Sequence, residues 1–317
     1  MKRVRFNDVL EIKNGRNQRQ VENPEGVYPI YGSGGVMGYA DDYICNADTV
    51  VVGRKGNINK PLYVEEPFWN VDTAFGLEAN REFLLPRYLY YFCIRFDFER
   101  LNKAVTIPSL TKSDLLNIEM DLPTLNEQEQ IVEKLYKIET IVEKRNTELE
   151  ALDELIKARF VEMLGDVITN DRGWDVKAWN DVLTIVNGRN QKDVEEDCGK
   201  YVICGSGGPM GRARDYLTGE NSVIIGRKGN INKPILMREK FWNVDTAFGL
   251  EPNNSHILVE YLYLFCILFD FEKLNKAVTI PSLTKADLLK IEMPIPDMDI
   301  QNRFAAFMSQ VDKSKLS

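Results

Sequence analysis

The nonapeptide GRKGNINKP stands at Gly53–Pro61 and again, unchanged, at Gly226–Pro234, an offset of 173 residues. No insertion or deletion interrupts this register. A period this long does not fit a solenoid, whose units of roughly 20 to 50 residues stack into one core. The 317-residue chain is therefore predicted to contain two homologous domains. The same offset relates four further strings: NGRNQ at Asn14 and Asn187, GSGG at Gly32 and Gly205, FWNVDTAFGLE at Phe68 and Phe241, and NKAVTIPSLTK at Asn102 and Asn275.

Each repeat has the pattern of a mixed α and β domain. Short β-branched runs at Thr49–Val52 and Ser222–Ile225 lie between Gly-rich and Asn-rich segments, which predicts strands joined by turns. Helices are predicted near Arg87–Lys103 and Val259–Lys276. The fold class is therefore predicted as α+β.

The two copies differ mainly in three stretches. These are predicted to be exposed loops, because loops tolerate change better than the elements they connect. They are Arg19–Ile30 against Lys192–Ile203, Val36–Asp42 against Pro209–Asp215, and Leu62–Glu65 against Ile235–Arg238.

A helix-forming segment without proline separates the repeats, from Asn126 to Leu164. As a helix it would be about 58 Å long. Asn126 with Glu129 is predicted to form a capping box, and Gly165 to end the helix.

Apolar residues of this helix alternate at spacings of four and three, as in a coiled-coil seam. The seam is Ile131, Leu135, Ile138, Val142, Leu149, Leu152, Ile156 and Met163, broken by Arg145 and Arg159. A second helix is predicted from Pro296, with Phe304, Met308 and Val311 matching the first three seam residues, and the two helices are expected to pack together. Residues 1–122 and 166–295 are thus predicted as domains, 123–165 as the long helix and 296–317 as the short one.

Composition excludes several classes of protein. The amino terminus lacks a signal-peptide pattern and no apolar run approaches membrane-spanning length, so we expect a cytoplasmic protein without a membrane partner. The five cysteines have no CxxC pairing and are expected to be buried thiols and not zinc ligands. His256 is the only histidine, so a His-based triad or a His-rich metal site cannot be built. We predict no catalytic residue, cofactor or metal in this chain.

Net charge is −8, which argues against a protein that binds DNA through its overall charge. Basic residues gathered on one face would remove this objection, because local potential guides a polyanion.

Several repeated motifs suit nucleic-acid contact, and each also has a purely structural interpretation. The GSGG glycines fit a tight loop with positive φ, close approach of the backbone to a phosphate, or both. GRKGN presents Arg54 and Lys55 either to phosphate or to solvent. NGRNQ carries the side chains that read guanine and adenine edges, although polar turns look the same.

Other motifs resemble enzyme signatures without their companions. GSGGVMG has the wrong spacing for a nucleotide loop, and its second copy contains Pro209. SLTK at Ser109–Lys112 lacks the other motifs of serine acyl-enzymes, and Thr111 with Asp114 is predicted to cap a helix. Trp69 and Trp242 could stack on bases, but are expected in the core.

The ordered motifs NGRNQ, YGSGG, GRKGN, NVDTAFG and AVTIPSLTK, duplicated and followed by a long helix, resemble the DNA-specificity subunits of type I restriction-modification systems. The resemblance covers nearly the whole chain. It implies two target-recognition domains held apart by helices that form an antiparallel coiled coil. It also implies partners: double-stranded DNA, two methyltransferase subunits that use S-adenosylmethionine, and restriction subunits that use ATP with magnesium.

The family binds DNA through loops of the recognition domains. The DNA-binding role is therefore carried to basic and amide side chains of the repeated motifs: Arg16, Gln18, Arg54, Lys55, Lys60 and Lys112, and Arg189, Gln191, Arg227, Lys228, Lys233 and Lys285.

The two repeats are unusually alike for this family, and the final helix is short. Their similarity predicts related half-sites in inverted orientation, hence a near-palindromic target. Self-association through the uncovered helix seam is a competing prediction. A two-domain protein–protein scaffold without DNA binding remains the alternative function, since it also fits the acidic composition.

Overall fold

A computed structural model describes residues 2–277 and 279–316. The chain divides into two compact units, unit 1 (Met1–Lys144) and unit 2 (Arg145–Ser317). Their boundary falls within the longest helix. The predicted domain boundaries at residues 122, 165 and 295 stay predictions.

Unit 1 combines three small sheets with short helices. The elements are β1 (Lys2–Arg5), α1 (Phe6–Val9), β2 (Leu10–Asn14), β3 (Tyr28–Gly32), β4 (Gly35–Ala40), β5 (Thr49–Gly53), β6 (Leu62–Val64), β7 (Trp69–Asn70), β8 (Ala74–Ala79), α2 (Pro86–Arg95), a 3-10 turn (Phe98–Leu101), α3 (Lys112–Leu116), β9 (Glu119–Leu122) and α4 (Leu125–Leu164). Strand β2 pairs with β8, β8 with β5, and β5 with β6, all antiparallel. Strand β3 lies between antiparallel β4 and parallel β7, and β1 pairs with β9.

Unit 2 repeats this order of elements. They are β10 (Asp175–Ala178), α5 (Trp179–Val182), β11 (Leu183–Asn187), β12 (Tyr201–Gly205), β13 (Gly208–Ala213), β14 (Ser222–Gly226), β15 (Ile235–Met237), β16 (Phe241–Asn243), β17 (Ala247–Pro252), α6 (Val259–Leu268), a 3-10 turn (Phe271–Leu274), α7 (Lys285–Leu288), β18 (Glu292–Ile295) and α8 (Met298–Leu316). The topology is also repeated, with sheets β11-β17-β14-β15, β13-β12-β16 and β10-β18.

The core of each unit forms where the four-stranded sheet meets the helix that follows it. Strand β5 reads TVVVG and is buried along its whole length, because it is an inner strand covered on both faces. Val50 and Val52 pack in one cluster with Leu89 and Cys93 of α2. The predicted strands at Thr49–Val52 and Ser222–Ile225 are thereby confirmed as β5 and β14.

The variable stretches are not simply loops, since Arg19–Ile30 ends within β3 and the other two contain further strands. Val36–Asp42 lies largely in β4, and Leu62–Glu65 contains β6. Both are edge strands of their sheets, as are β13 and β15 in unit 2. An edge strand has neighbours on one side only, so its exposed side chains can vary like those of a loop.

The helices predicted from Arg87 and from Val259 end earlier than expected. Helix α2 stops at Arg95 and a separate 3-10 turn follows at Phe98–Leu101. The side chain of Asp97 accepts a hydrogen bond from the Glu99 N–H, and the Phe98 N–H donates to Asn59 Oδ1 at 2.8 Å. These two bonds satisfy backbone groups outside the helix and break it there. Asp270 and Asn232 do the same after α6.

Helix α4 begins one residue earlier than predicted and its capping box is a different pair. The Glu127 N–H donates to Thr124 Oγ1, and the Thr124 N–H donates to Glu127 Oε2 at 2.9 Å. The proposed box of Asn126 and Glu129 was therefore wrong, because Thr124 is the residue at which the helix starts. Gly165 ends the helix with φ +80°, as predicted.

In unit 2 the second half of α4 packs antiparallel to α8. The rings of Phe160 and Phe304 lie 5.2 Å apart, and Lys315 pairs with Asp153 at 2.6 Å. Phe304, Met308 and Val311 are buried as predicted. On α4, however, the fully packed residues are Ile156, Phe160 and Leu164, spaced by four. Arg159 does not break the seam, because the helix packs on a globular core as well as on α8.

In unit 1 the first half of α4 is less covered. Ile131 and Leu135 are half-buried, whereas Ile138, Ile141 and Val142 are each more than half exposed. This apolar surface is called the α4 seam below.

Candidate nucleic-acid interface

Five segments that are identical in the two repeats meet at one edge of each unit. In unit 1 these are residues 14–18, 32–35, 53–60, 70–74 and 102–109, and together they are called the loop face. Each segment begins or ends at a strand or helix terminus, so the sheets hold the loops in place. Exposed loops fixed on a rigid scaffold are where binding residues concentrate.

The NGRNQ segment is held by the segment after β7. The Arg16 N–H donates to the Asn70 carbonyl at 2.9 Å, and Trp69 Nε1 donates to the Arg16 carbonyl at 3.0 Å. Trp69 is buried, as expected, so it supports the loop instead of offering its face to a base. The backbone of Arg16 is thus fixed while its side chain is exposed.

The GRKGN segment is held from two sides. The Arg54 N–H donates to the Thr73 carbonyl at 2.7 Å. The Gly56 N–H donates to the Pro108 carbonyl at 3.0 Å, and the Leu110 N–H donates to the Arg54 carbonyl at 2.9 Å. Residues 53–57 therefore form the centre of the loop face, between residues 70–74 and 102–109.

Two glycines permit this close packing. A Cβ on Gly15 would lie 1.8 Å from the Val71 carbonyl oxygen, and one on Gly53 would lie 2.3 Å from the Asn57 carbonyl oxygen. Neither position has space for any side chain. Positive φ occurs at Gly35, as expected for a tight loop in the GSGG segment, and also at Gly56 of the GRKGN segment.

Unit 2 builds the same face from the same residues. The Arg189 N–H donates to the Asn243 carbonyl at 3.0 Å, and the Arg227 N–H to the Thr246 carbonyl at 2.8 Å. The Gly229 N–H donates to the Pro281 carbonyl at 3.0 Å. The duplicated motifs are thus duplicated in geometry as well.

The loop face is basic although the chain is acidic. In each copy of the repeat the five segments contain five Lys or Arg residues and one acidic residue, which is Asp72 in unit 1 and Asp245 in unit 2. Helix α4 contains ten Asp or Glu and six Lys or Arg residues, so half of the net charge of −8 lies there. The acidic composition therefore does not oppose binding of a polyanion at the loop face.

Ten of the twelve predicted DNA-binding residues lie on the loop faces. Arg16, Arg54, Lys55 and Lys60 are exposed and Gln18 is half-exposed. In unit 2, Arg189, Lys228 and Lys233 are exposed, while Gln191 and Arg227 are half-exposed. The guanidinium of Arg54 lies 5.7 Å from the centre of the Phe75 ring, and that of Arg227 lies 5.8 Å from that of Phe248.

Lys112 and Lys285 are placed differently. Lys112 Nζ donates to the Ile12 carbonyl at 2.7 Å, and Lys285 Nζ donates to the Ile185 carbonyl at 2.6 Å. Each ammonium group joins a short helix to a strand of the four-stranded sheet. This contact is structural, and the predicted DNA role of the two lysines stays a prediction that the function proposed below does not use.

We expect Lys112→Met to lower the free energy of unfolding by about 1.5 kcal/mol, because it leaves a part-buried carbonyl without its donor. Lys55→Met, at an exposed position of the same unit, should change it by less than about 0.5 kcal/mol. Urea unfolding of both variants measures the difference. Unchanged stability of Lys112→Met together with weaker DNA binding would instead favour the predicted DNA role.

The sequence analysis assigned no DNA-binding residue within the loop at residues 102–109. Asn102 Oδ1 accepts from the N–H groups of Ala104 and Ser109, at 3.0 and 3.1 Å, and so closes the base of this loop. Lys103 pairs with Asp114 at 2.9 Å. Hydrogen bonds from Lys103 and Thr111 lower the pKa of the Asp114 carboxyl, and Thr111 caps α3 as predicted. The exact repetition of NKAVTIPSLTK in both units was the sequence signal for this loop, because packing of the core alone does not require every residue of the string to stay unchanged.

Other features of the described residues point to no second kind of site. Within residues 2–277 and 279–316, no group of three or more His, Cys, Asp or Glu side chains is arranged to hold a metal ion. In the same residues, no helix is both long and apolar enough to cross a membrane. Four cysteines are buried as expected, but Cys198 is exposed in the variable stretch before β12. Burial raises the pKa of Cys204 to about 11, which keeps that thiol protonated.

Comparison with known proteins identifies relatives of one kind. A 159-residue alignment with the EcoDI type I restriction enzyme specificity subunit of Escherichia coli has 21% identity and covers 49% of this chain and 35% of that protein. A 295-residue alignment with the MjaIX specificity subunit of Methanocaldococcus jannaschii has 22% identity and covers 80% and 67%. The chain spans less than half of the E. coli protein and about two thirds of the other.

The fold agrees with a solved structure of this kind. The crystal structure of a type I restriction-modification S subunit from M. genitalium superposes with a TM-score of 0.68 over 99% of this chain and 90% of that one, at 18% sequence identity. At that identity the likeness establishes the fold, and it agrees with the predicted architecture of duplicated domains and long helices.

The family profile covers nearly the whole chain. The type I restriction modification DNA specificity domain matches residues 1–151 and again residues 171–317, once for each repeat. The chain therefore belongs to the type I restriction-modification DNA specificity family and contains two copies of its domain.

Proposed function

We propose that this chain is the DNA-recognition subunit of a type I restriction-modification complex, with each loop face contacting one half-site of a split target. The observation that carries the proposal is the convergence of exposed Arg16, Arg54, Lys55 and Lys60 on one face that is repeated in unit 2. Exposed cations with fixed backbones suit phosphate contact, and Gln18 and Arg16 are long enough to reach base edges.

The chemistry of modification and cleavage belongs to partner subunits in this proposal. Methyltransferase subunits, two for each chain, bind S-adenosylmethionine and methylate adenine, and restriction subunits use ATP with magnesium. The chain itself has no catalytic residue or cofactor, and it works in the cytoplasm. Its ten candidate side chains on the two loop faces position DNA and perform no reaction.

The α4 seam is the proposed docking surface for another helix. Ile138, Ile141 and Val142 form an apolar strip on an otherwise charged helix, and contiguous exposed apolar surface of this kind marks an interaction site. We propose a methyltransferase subunit as the covering partner, with a second copy of this chain as the competing prediction.

The target is proposed to be near-palindromic, because the loop faces of the two units have identical side chains. The two units differ in and just after the edge strands β4 and β13, where Tyr39 and Asp41 of unit 1 correspond to Arg212 and Arg214 of unit 2. These differences are the expected source of any departure from perfect symmetry.

The test is to co-express the chain with its adenine methyltransferase subunit, determine the mass of the purified complex, and map methylated adenines in the host genome by long-read sequencing. We expect a split motif with two related, inverted halves. A split motif with unrelated halves would contradict the symmetry but not the DNA role. A stable complex that methylates nothing would favour the scaffold alternative.

A further inference from the structure

The loop at residues 102–109 ends in an exposed apolar tip. Val105 is fully exposed and Ile107 is 59% exposed. In unit 2, Ile280 is 60% exposed, while Val278, the counterpart of Val105, lies outside the described residues. Exposure of two neighbouring aliphatic side chains to water is unfavourable in free energy, and it contributes nothing to the stability of the fold.

The base of this loop is closed by several bonds. Asn102 binds Ala104 and Ser109, Lys103 pairs with Asp114, and the Pro108 carbonyl accepts from the Gly56 N–H. Asn275 closes the corresponding loop by accepting from Ala277 and Ser282, each at 3.0 Å. The tip is therefore presented by a fixed frame.

Retention of the tip contrasts with two other exposed apolar positions. Val27 is 74% exposed and corresponds to Lys200, and Phe83 is 48% exposed and corresponds to His256. At these two positions an exposed apolar residue was thus free to change after the duplication, whereas exposed Met37 is retained as Met210. Val105 and Ile107 did not change, although neither contributes to a core.

The neighbours of the tip indicate what it contacts. Ser109 and Lys55 form an isolated antiparallel β-bridge, and the Arg54 carbonyl accepts a hydrogen bond from the Leu110 N–H. The tip therefore lies beside Arg54 and Lys55, the most basic part of the loop face. A partner protein seated on the tip would also have to cover these cations. A DNA duplex would meet the cations with its phosphates and the apolar tip with its bases.

We propose that the tip of residues 105–107 enters a groove of the bound DNA and makes apolar contacts with the bases, and that Ile280 of unit 2 does the same in the other half-site. This inference rests on the proposed DNA-binding function. Aliphatic side chains at the ends of such loops contact thymine methyl groups or press between base pairs. Either contact adds affinity that does not depend on release of counterions.

The salt dependence of binding separates this contact from phosphate contacts. Binding of the mapped target by the complex with its methyltransferase subunit would be measured by fluorescence anisotropy between roughly 50 and 300 mM salt. We expect the double variant Val105→Ser, Ile107→Ser to bind about 10-fold more weakly at every salt concentration. The slope of log affinity against log salt concentration should stay unchanged. Lys55→Gln should instead lower the slope by about one. Val27→Ser, an equally exposed change in the same unit, should have no effect.

The outcomes distinguish the two proposals. If the unaltered complex binds no duplex, the proposed function fails and this inference fails with it. If it binds DNA and the double variant binds equally well, only the inference fails, and loss of the methyltransferase subunit from that variant would identify the tip as a protein contact. A reduced slope in the double variant would also overturn the inference, since it would indicate lost phosphate contacts.

Discussion

Replacing Arg16, Arg54, Lys55 and Lys60 together by glutamine should weaken binding of the target duplex by about a thousandfold at roughly 0.1 M salt. All four side chains are exposed on the unit 1 loop face. Each lost phosphate contact lowers the slope of log affinity against log salt by about 0.9, so the slope should fall by about 2.7 when Arg16 contacts a base and by about 3.6 when it contacts a phosphate. Anisotropy titrations at four or five salt concentrations measure both quantities.

The matched control removes the same charge elsewhere in unit 1. A second fourfold glutamine variant changes arginines outside the loop face, at Arg3, Arg81, Arg95 and Arg100. Their change in net charge is identical, so a loss shared by both variants would reflect overall charge and contradict the assigned interface. A loss confined to the first variant would support it.

The residues of this interface could be predicted from the sequence, but their spatial arrangement could not. The repeated strings named ten side chains that the loops do bring together. Lys112 has the same residue type and lies in an equally repeated string, yet its ammonium binds the Ile12 carbonyl. The partner of Lys112 is 100 residues away in sequence, so no local pattern reveals the bond.

Secondary structure was predictable where periodicity was strong. The inner strands β5 and β14 and the long helix follow from composition alone, because their apolar runs allow few alternatives. The edge strands β4 and β6 were mistaken for loops, since an edge strand with one free side has weak patterning. Helix α2 ended early because Asn59, distant in sequence, binds the backbone at Phe98.

The long helix shows the same division between local and tertiary causes. Its length and its terminal Gly165 were correct. The seam was predicted at alternating spacings of four and three, whereas the buried residues Ile156, Phe160 and Leu164 are spaced by four. Four-residue spacing is that of helices packed in a globular core, and the core of unit 2 supplies that environment.

Phe160→Ala should lower the free energy of unfolding of the chain by about 4 kcal/mol, the largest stability change we expect. The ring is fully buried and lies 5.7 Å from the Tyr261 ring and 5.2 Å from the Phe304 ring. Its removal leaves a cavity where α4, α6 and α8 meet, and these helices cannot close it without moving. Urea unfolding followed by circular dichroism measures the change.

Leu155→Ala is the control on the same helix and in the same unit. Leu155 is 47% exposed, so its truncation should lower the free energy of unfolding by less than about 1 kcal/mol. Equal effects of the two variants would mean that the stability of unit 2 comes from helix formation by α4 and not from its packing. A large effect of Phe160→Ala alone would show that the packing of α4 against α6 and α8 stabilises unit 2. The loop face of that unit is built on β11, β14 and β17, whose side chains share one core with Phe160, so the same variant should also weaken DNA binding.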